Sequence, residues 1–69
     1  MQVLVNQVPI ELPAGSHLAQ AIEAAQAQQA MAGPFAAAVN LRFVPRTQYP
    51  HTALQDGDQI ELIAPVTGG

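Results

Sequence analysis

The chain contains no cysteine and no tryptophan, and aromatic residues make up only 4% of it. Without cysteine, neither a disulfide nor a thiolate metal site can form. Small secreted domains usually depend on such cross-links, so the absence favours a cytoplasmic protein.

Positive charge is also scarce. Arg42 and Arg46 are the only two cationic residues, and they oppose five carboxylates for a formal net charge of -3. Binding to nucleic acid depends on several Lys or Arg side chains that displace counterions from phosphates, so this composition argues against a nucleic-acid partner. A protein partner with a basic surface fits the charge balance better.

Long apolar runs are missing as well. No stretch approaches the roughly 20 apolar residues that span a bilayer, and the first residues lack the cationic and apolar regions of a signal peptide. We therefore expect no membrane contact. A chain of 69 residues can form one small domain without a deep active site, and a hydrophobic content of 49% predicts that this domain folds.

A β-hairpin is predicted at the N-terminus. Apolar residues alternate over Gln2 to Asn6 and again over Val8 to Leu12, with Asn6 and Gln7 as the turn. Glutamine is a weaker former of tight turns than glycine at the second position, which leaves room for a loop longer than two residues.

A single helix is predicted over Leu18 to Ala32, a segment without Pro or Gly. Ser16 is the expected N-cap, and Gly33 with Pro34 is expected to end the helix. Four apolar residues recur at helical spacing and should face a sheet: Leu18, Ala21, Ile22 and Ala25.

The second half of the chain predicts three more strands, over Phe35 to Asn40, Arg42 to Val44 and Gln59 to Ala64. The prolines of Pro45 to His51 predict irregular structure, and residues 56–58 predict a tight turn. This order of elements predicts an α+β fold with one helix on one face of a mixed sheet. We expect residues 1–64 to form the domain and residues 65–69 to form a flexible tail.

No constellation of catalytic residues is apparent. Ser16 and His17 are adjacent at a helix start, so their side chains point in different directions, and both His17 and His51 are expected at the surface. Asp56 and Asp58 flank a glycine, but a calcium loop needs a longer series of oxygen ligands. The sequence therefore predicts a protein that is not an enzyme and binds no metal or cofactor of its own.

The C-terminus ends in Gly68 and Gly69. Glycines are common in frayed chain ends, which is one interpretation. The other is that a narrow tail, free of large side chains, enters the active site of another protein and presents its carboxylate there. Counted from Val66, through Thr67 and the two glycines, four residues reach roughly 13 Å at about 3.3 Å per residue.

Taken together, several segments resemble the sulfur carriers of thiamine thiazole synthesis, which are related to ubiquitin and to the small subunit of molybdopterin synthase. The resemblance covers the whole chain. Its supports are Met1 to Asn6, Pro13 to Gly15, Val39-Asn40, Val44 to Arg46, Asp56 to Glu61 and Gly68-Gly69.

The resemblance implies a β-grasp fold of four to five strands, in which the first and last strands are parallel at the middle of the sheet. It also implies that an adenylating enzyme uses ATP and Mg²⁺ to activate the carboxylate of Gly69. A sulfur donor, such as a cysteine desulfurase system, then converts the adenylate into a thiocarboxylate for thiazole synthase. A carrier without cysteine has no side chain for a persulfide, which agrees with sulfur at Gly69.

Two alternatives stay open. Tyr49 stands where the family often has Trp, and Pro65-Val66 resembles the ending of the molybdopterin-type carriers, so sulfur donation to molybdopterin is one alternative. The other is a β-grasp interaction module without covalent chemistry, for which Gly68 and Gly69 would be dispensable.

A docking surface is predicted from the strand pattern. Leu4, Phe43 and Ile63 are expected on the sheet face away from the helix. Exposed apolar residues that lie close together usually mark a contact site, so we predict that partners dock there.

Overall fold

The computed structural model describes residues 1–29 and 36–63, and within them it contains one α-helix, one 3-10 helix and five strands. The elements, in chain order, are β1 (Gln2–Val5), β2 (Val8–Glu11), α1 (Leu18–Gln29), β3 (Ala36–Val39), β4 (Arg42–Val44), the 3-10 helix (Arg46–His51) and β5 (Gln59–Ile63).

The strands form one mixed sheet with the order β2-β1-β5-β3-β4. β1 and β5 are parallel, with Leu4 beside Gln59 and Val5 beside Ile60, whereas all other neighbours are antiparallel. The expected parallel pairing of the first and last strands is therefore confirmed. Since β5 lies at the centre, the strand that leads to the C-terminus is flanked on both sides.

The core lies between α1 and one face of the sheet. Ile10 and Ile60 are almost fully buried there, as are Val3 and Val5. The predicted inward face of the helix is confirmed, because it buries these four residues: Leu18, Ala21, Ile22 and Ala25. The two alanines have short side chains, which lets the helix lie close to the sheet.

Both hairpin turns have two residues in left-handed backbone conformation. Asn6 and Gln7 have φ angles of 51° and 70°, and Asn40 and Leu41 have 50° and 69°. Val5 pairs directly with Val8, so the first loop does not exceed two residues despite its glutamine. Positive φ at both central positions matches the twist of the flanking strands, which explains why these turns form without glycine.

The start of the helix corrects one prediction. Ser16 is not the N-cap: its hydroxyl donates to the Pro13 carbonyl at 2.7 Å and is buried. The first helical hydrogen bonds end on the carbonyl of His17, and Gln20 Oε1 accepts from the His17 backbone N–H at 2.9 Å. Ser16 therefore closes the turn that precedes the helix. The helix is described to Gln29, and its predicted end near Ala32 lies outside the described residues.

The proline-rich segment also differs from its prediction. Arg46–His51 forms a 3-10 helix rather than irregular structure. Pro45 precedes it with φ of -64°, which suits a helix start, and Pro50 lies within it. The 3-10 helix packs against α1 and extends the layer on that side of the sheet.

Candidate functional site

The sheet face opposite α1 is uncovered in the described structure. By strand register it carries Leu4, Phe43 and Ile63, the three residues predicted on that face. Phe43 is 70% exposed and Ile63 is 57% exposed, whereas Leu4 is half-buried. We call this surface the open face. Its geometry agrees with the sequence, and its role in docking stays a prediction.

The open face carries an exposed carboxylate. Glu61 alternates with the buried Ile60 and Leu62 along β5, so its exposed side chain lies on the open face. Arg42 pairs with Val39, which pairs with Ile60, and it therefore lies on the helix side of the sheet. Arg46 belongs to the 3-10 helix that packs against α1. Neither arginine therefore lies beside Glu61 on the open face.

The turn between β3 and β4 is fixed by the side chain of Asn40. Asn40 Nδ2 donates to Asp58 Oδ1 at 3.0 Å, and Asn40 Oδ1 accepts from the Gln59 backbone N–H at 3.0 Å. The next residue, Leu41, is 87% exposed at a φ of 69°. The sequence indicates Leu41 only as a turn residue, and its exposure beside the open face was missed.

The two aspartates before β5 stabilise a loop. Asp56 Oδ1 accepts from the Gln2 backbone N–H at 2.7 Å, and Asp58 Oδ2 accepts from the Gln55 backbone N–H at 2.8 Å. The predicted tight turn at residues 56–58 is confirmed, with Gly57 at a φ of 87°. Within residues 1–29 and 36–63, no group of three or more His, Cys, Asp or Glu is placed to hold a metal ion.

The candidate catalytic residues are not assembled into a site. The Ser16 hydroxyl is already bonded to Pro13, and His51 is exposed as expected. His17 is half-buried rather than fully exposed, and its backbone forms a bridge with Ala53. Its Nδ1 is buried without a hydrogen-bond partner among the described residues.

The approach to the C-terminus is the end of β5. Asn6 holds this end: its backbone N–H donates to Ile60 O at 2.9 Å, and its Oδ1 accepts from the Leu62 N–H at 2.9 Å. Ile63 is the last described residue. The predicted tail residues Val66, Thr67, Gly68 and Gly69 lie outside the described part of the chain.

Comparison with known proteins tests the predicted resemblance. The sequence model of the ThiS family matches residues 3–69. The chain belongs to the ThiS family. This chain is 39% identical to the sulfur carrier protein ThiS of Escherichia coli strain K12 over 69 residues, which is the full length of both proteins.

The fold agrees with this membership. The structure of the thiamine biosynthesis protein ThiS from Geobacter metallireducens superimposes with a TM-score of 0.75 over the full length of both chains, at 22% identity. This ThiS-family chain therefore has the predicted β-grasp fold. Its role as a sulfur carrier of thiamine biosynthesis, without catalytic activity of its own, follows from the family. No helix within the described ranges is long and apolar enough to cross a membrane.

Proposed function

We propose that the carboxylate of Gly69 is adenylated and then converted to a thiocarboxylate that donates sulfur for thiazole formation. One observation carries the proposal: the family match extends to the last residue, Gly69, in a chain that contains no cysteine. Because no thiol is available to hold a persulfide, covalently carried sulfur needs another attachment point. The terminal carboxylate can provide it.

The chemistry requires activation before sulfur transfer. A carboxylate is a poor electrophile, so an oxygen of Gly69 attacks the α-phosphorus of ATP and pyrophosphate leaves. A sulfur nucleophile from the donor then attacks the acyl carbon, and AMP is the leaving group. When that nucleophile is a persulfide, the product is an acyl disulfide. A second thiol then cleaves its S–S bond, leaves with the donor as a mixed disulfide, and one sulfur stays in place of one carboxylate oxygen.

The partners supply all catalytic groups. An adenylating enzyme binds ATP and Mg²⁺ and stabilises the charge that develops during phosphoryl chemistry. A cysteine desulfurase system is the proposed source of sulfur, and thiazole synthase is the acceptor. We place these steps in the cytoplasm, where ATP is available to the adenylating enzyme.

The sequence of the tail suits entry into a partner. Val66, Thr67, Gly68 and Gly69 decrease in side-chain size toward the terminus, and fully extended they reach roughly 13 Å at about 3.3 Å per residue. Glycine lets the backbone of a partner approach closely. This reach is sufficient for the carboxylate to enter a nucleotide pocket while the domain stays outside.

The open face is the proposed docking surface. Phe43 and Ile63 are exposed there, and Leu4 lies half-buried on the same face. Ile63 is the residue directly before the C-terminal segment of six residues, Ala64 to Gly69. Docking through this face therefore brings the start of that segment to the partner surface.

Intact-protein mass spectrometry tests the proposal. The chain is incubated with a cognate adenylating enzyme, ATP, Mg²⁺ and a sulfur source, and a variant that lacks Gly69 is the matched control. The full-length chain should gain the mass difference between one sulfur and one oxygen, and the control should not. An unchanged full-length chain, with an enzyme that modifies its own carrier, would instead favour a non-covalent interaction module.

A further inference from the structure

Leu41 combines two features that are locally unfavourable. Its side chain is 87% exposed, and its backbone has a φ of 69°, a conformation in which glycine is the favoured residue. In a solvated turn, glycine or asparagine would adopt the positive φ more easily and would expose less apolar surface. Non-glycine residues in left-handed conformation cluster at functional sites, so Leu41 is a candidate contact residue.

The surrounding contacts hold Leu41 in a fixed position. Asn40 forms two side-chain hydrogen bonds, to Asp58 and to the backbone of Gln59, both at 3.0 Å. The Asn40 backbone N–H also donates to the Gln59 carbonyl at 2.7 Å. The turn is thus fastened to the start of the central strand, and the backbone of Leu41 has little conformational freedom to lose on binding.

The position of Leu41 connects it with the carboxylate of Glu61 on the open face. Leu41, Asn40, Gln59 and Glu61 line one shallow depression. Ala38 lies between Glu61 and Phe43 in the strand register, so a small side chain separates an exposed carboxylate from an exposed aromatic ring. The side chains of Leu41, Phe43 and Glu61 therefore lie on one side of the sheet.

We propose that Leu41 is an anchor residue that inserts into an apolar pocket of the adenylating enzyme, while Glu61 pairs with a Lys or Arg at the rim of that pocket. This inference rests on the proposed function of the tail. An enzyme that binds ATP must surround the triphosphate with positive charge, and the tail must enter there. Leu41 lies beside the start of β5, and Glu61 lies two residues before Ile63, where the chain continues toward the tail. The carboxylate of Glu61 is complementary in charge to such an entrance and would favour docking there.

Leu41→Gly separates binding from folding. Glycine removes the side chain, and it adopts the left-handed conformation without strain. Steady-state kinetics are measured with the carrier as the varied substrate, from the release of pyrophosphate. The variant should have an unchanged or raised melting temperature. Its KM should rise about tenfold or more, as expected when burial of a leucine is lost, with kcat unchanged.

Gln7→Gly is the matched control, since Gln7 occupies the same position of the other hairpin turn at a φ of 70°. It should keep the wild-type KM. Glu61→Lys should raise KM in a manner that depends on ionic strength. Glu23→Lys makes the same charge change on the exposed side of α1 and should have a smaller effect.

The outcomes separate the two proposals. If the wild-type chain is not adenylated at all, the proposed function fails and this inference falls with it. If the wild-type chain is adenylated and Leu41→Gly keeps the wild-type KM, only the anchor is contradicted. An equal loss in Gln7→Gly and Leu41→Gly would also contradict it, because the effect would then come from the turn backbone rather than from the leucine side chain.

Discussion

Asn6 Oδ1 accepts a hydrogen bond from the backbone N–H of Leu62 at 2.9 Å, across 56 residues of sequence. The backbone pairing between β1 and β5 covers only Leu4 with Gln59 and Val5 with Ile60. The side chain of Asn6 continues it by one further hydrogen bond. The strand that leads to the C-terminus is thus held next to the first hairpin almost to its last described residue.

We expect removal of this side chain to loosen the end of β5. Asn6→Gly keeps the left-handed backbone available and deletes the acceptor, and it should lower the free energy of unfolding by about 1 kcal/mol. Urea unfolding measures the stability, and hydrogen exchange should show faster exchange of the Leu62 amide. Asn6→Asp is the control, because it retains the acceptor and should stay close to wild type. Unchanged exchange in Asn6→Gly would contradict the role of this bond.

The two faces of β5 should respond differently to truncation. Ile60 is 1% exposed in the core, so Ile60→Ala should cost about 2 to 5 kcal/mol of stability. Ile63→Ala removes the same atoms from a side chain that is 57% exposed, and it should change stability by less than about 1 kcal/mol. Equal losses in the two variants would show that the assigned register of β5 is wrong.

Docking through the open face predicts a defect in adenylation without unfolding. Ile63→Asp places a carboxylate at an exposed position on that face, so circular dichroism and the melting temperature should stay close to wild type. The KM for the carrier should rise about tenfold, because an unpaired charge would be buried against the partner. A folded variant with unchanged adenylation kinetics would remove Ile63 from the docking surface.

Ser16 should stabilise the turn before the helix rather than the helix N-terminus. Its buried hydroxyl donates to Pro13 O, so Ser16→Ala leaves that carbonyl without this partner and should cost about 1 kcal/mol. Gln20→Ala is the contrasting variant, because Gln20 Oε1 accepts from the His17 N–H at the helix start. Amide exchange should accelerate at His17 in Gln20→Ala and less in Ser16→Ala. The reverse pattern would restore Ser16 as the cap.

The sequence was most informative where apolar residues recur at the spacing of a strand or a helix and are buried in the core. The alternation of Ile60 and Leu62 with Glu61 and Ile63 predicts both faces of β5, and the spacing of Leu18 and Ile22 predicts the inner face of the helix. These assignments depend only on strand and helix geometry, which the structure obeys. The parallel pairing of β1 with β5 came from the family resemblance, because local patterns do not select strand neighbours.

Other features depend on contacts that a local pattern does not contain. Ser16 has the residue type of an N-cap, but its hydroxyl donates to the carbonyl of Pro13 instead. Pro50 suggests a break, yet the 3-10 helix accommodates it. Leu41 becomes a candidate contact residue only when its exposure and its neighbours Asn40 and Glu61 are known together. Phe43 and Ile63, by contrast, were placed on the correct face by alternation alone.

The most direct test of the central claim is to locate the carried sulfur on the chain. Trypsin cleaves at Arg46, and no cation follows it, so residues 47–69 form one peptide that contains neither Met nor Cys. After incubation with the adenylating enzyme, ATP, Mg²⁺ and a sulfur source, fragmentation mass spectrometry of this peptide should place one sulfur at Gly69. Sulfur at any other residue, or a peptide without sulfur from an active reaction, would contradict the account.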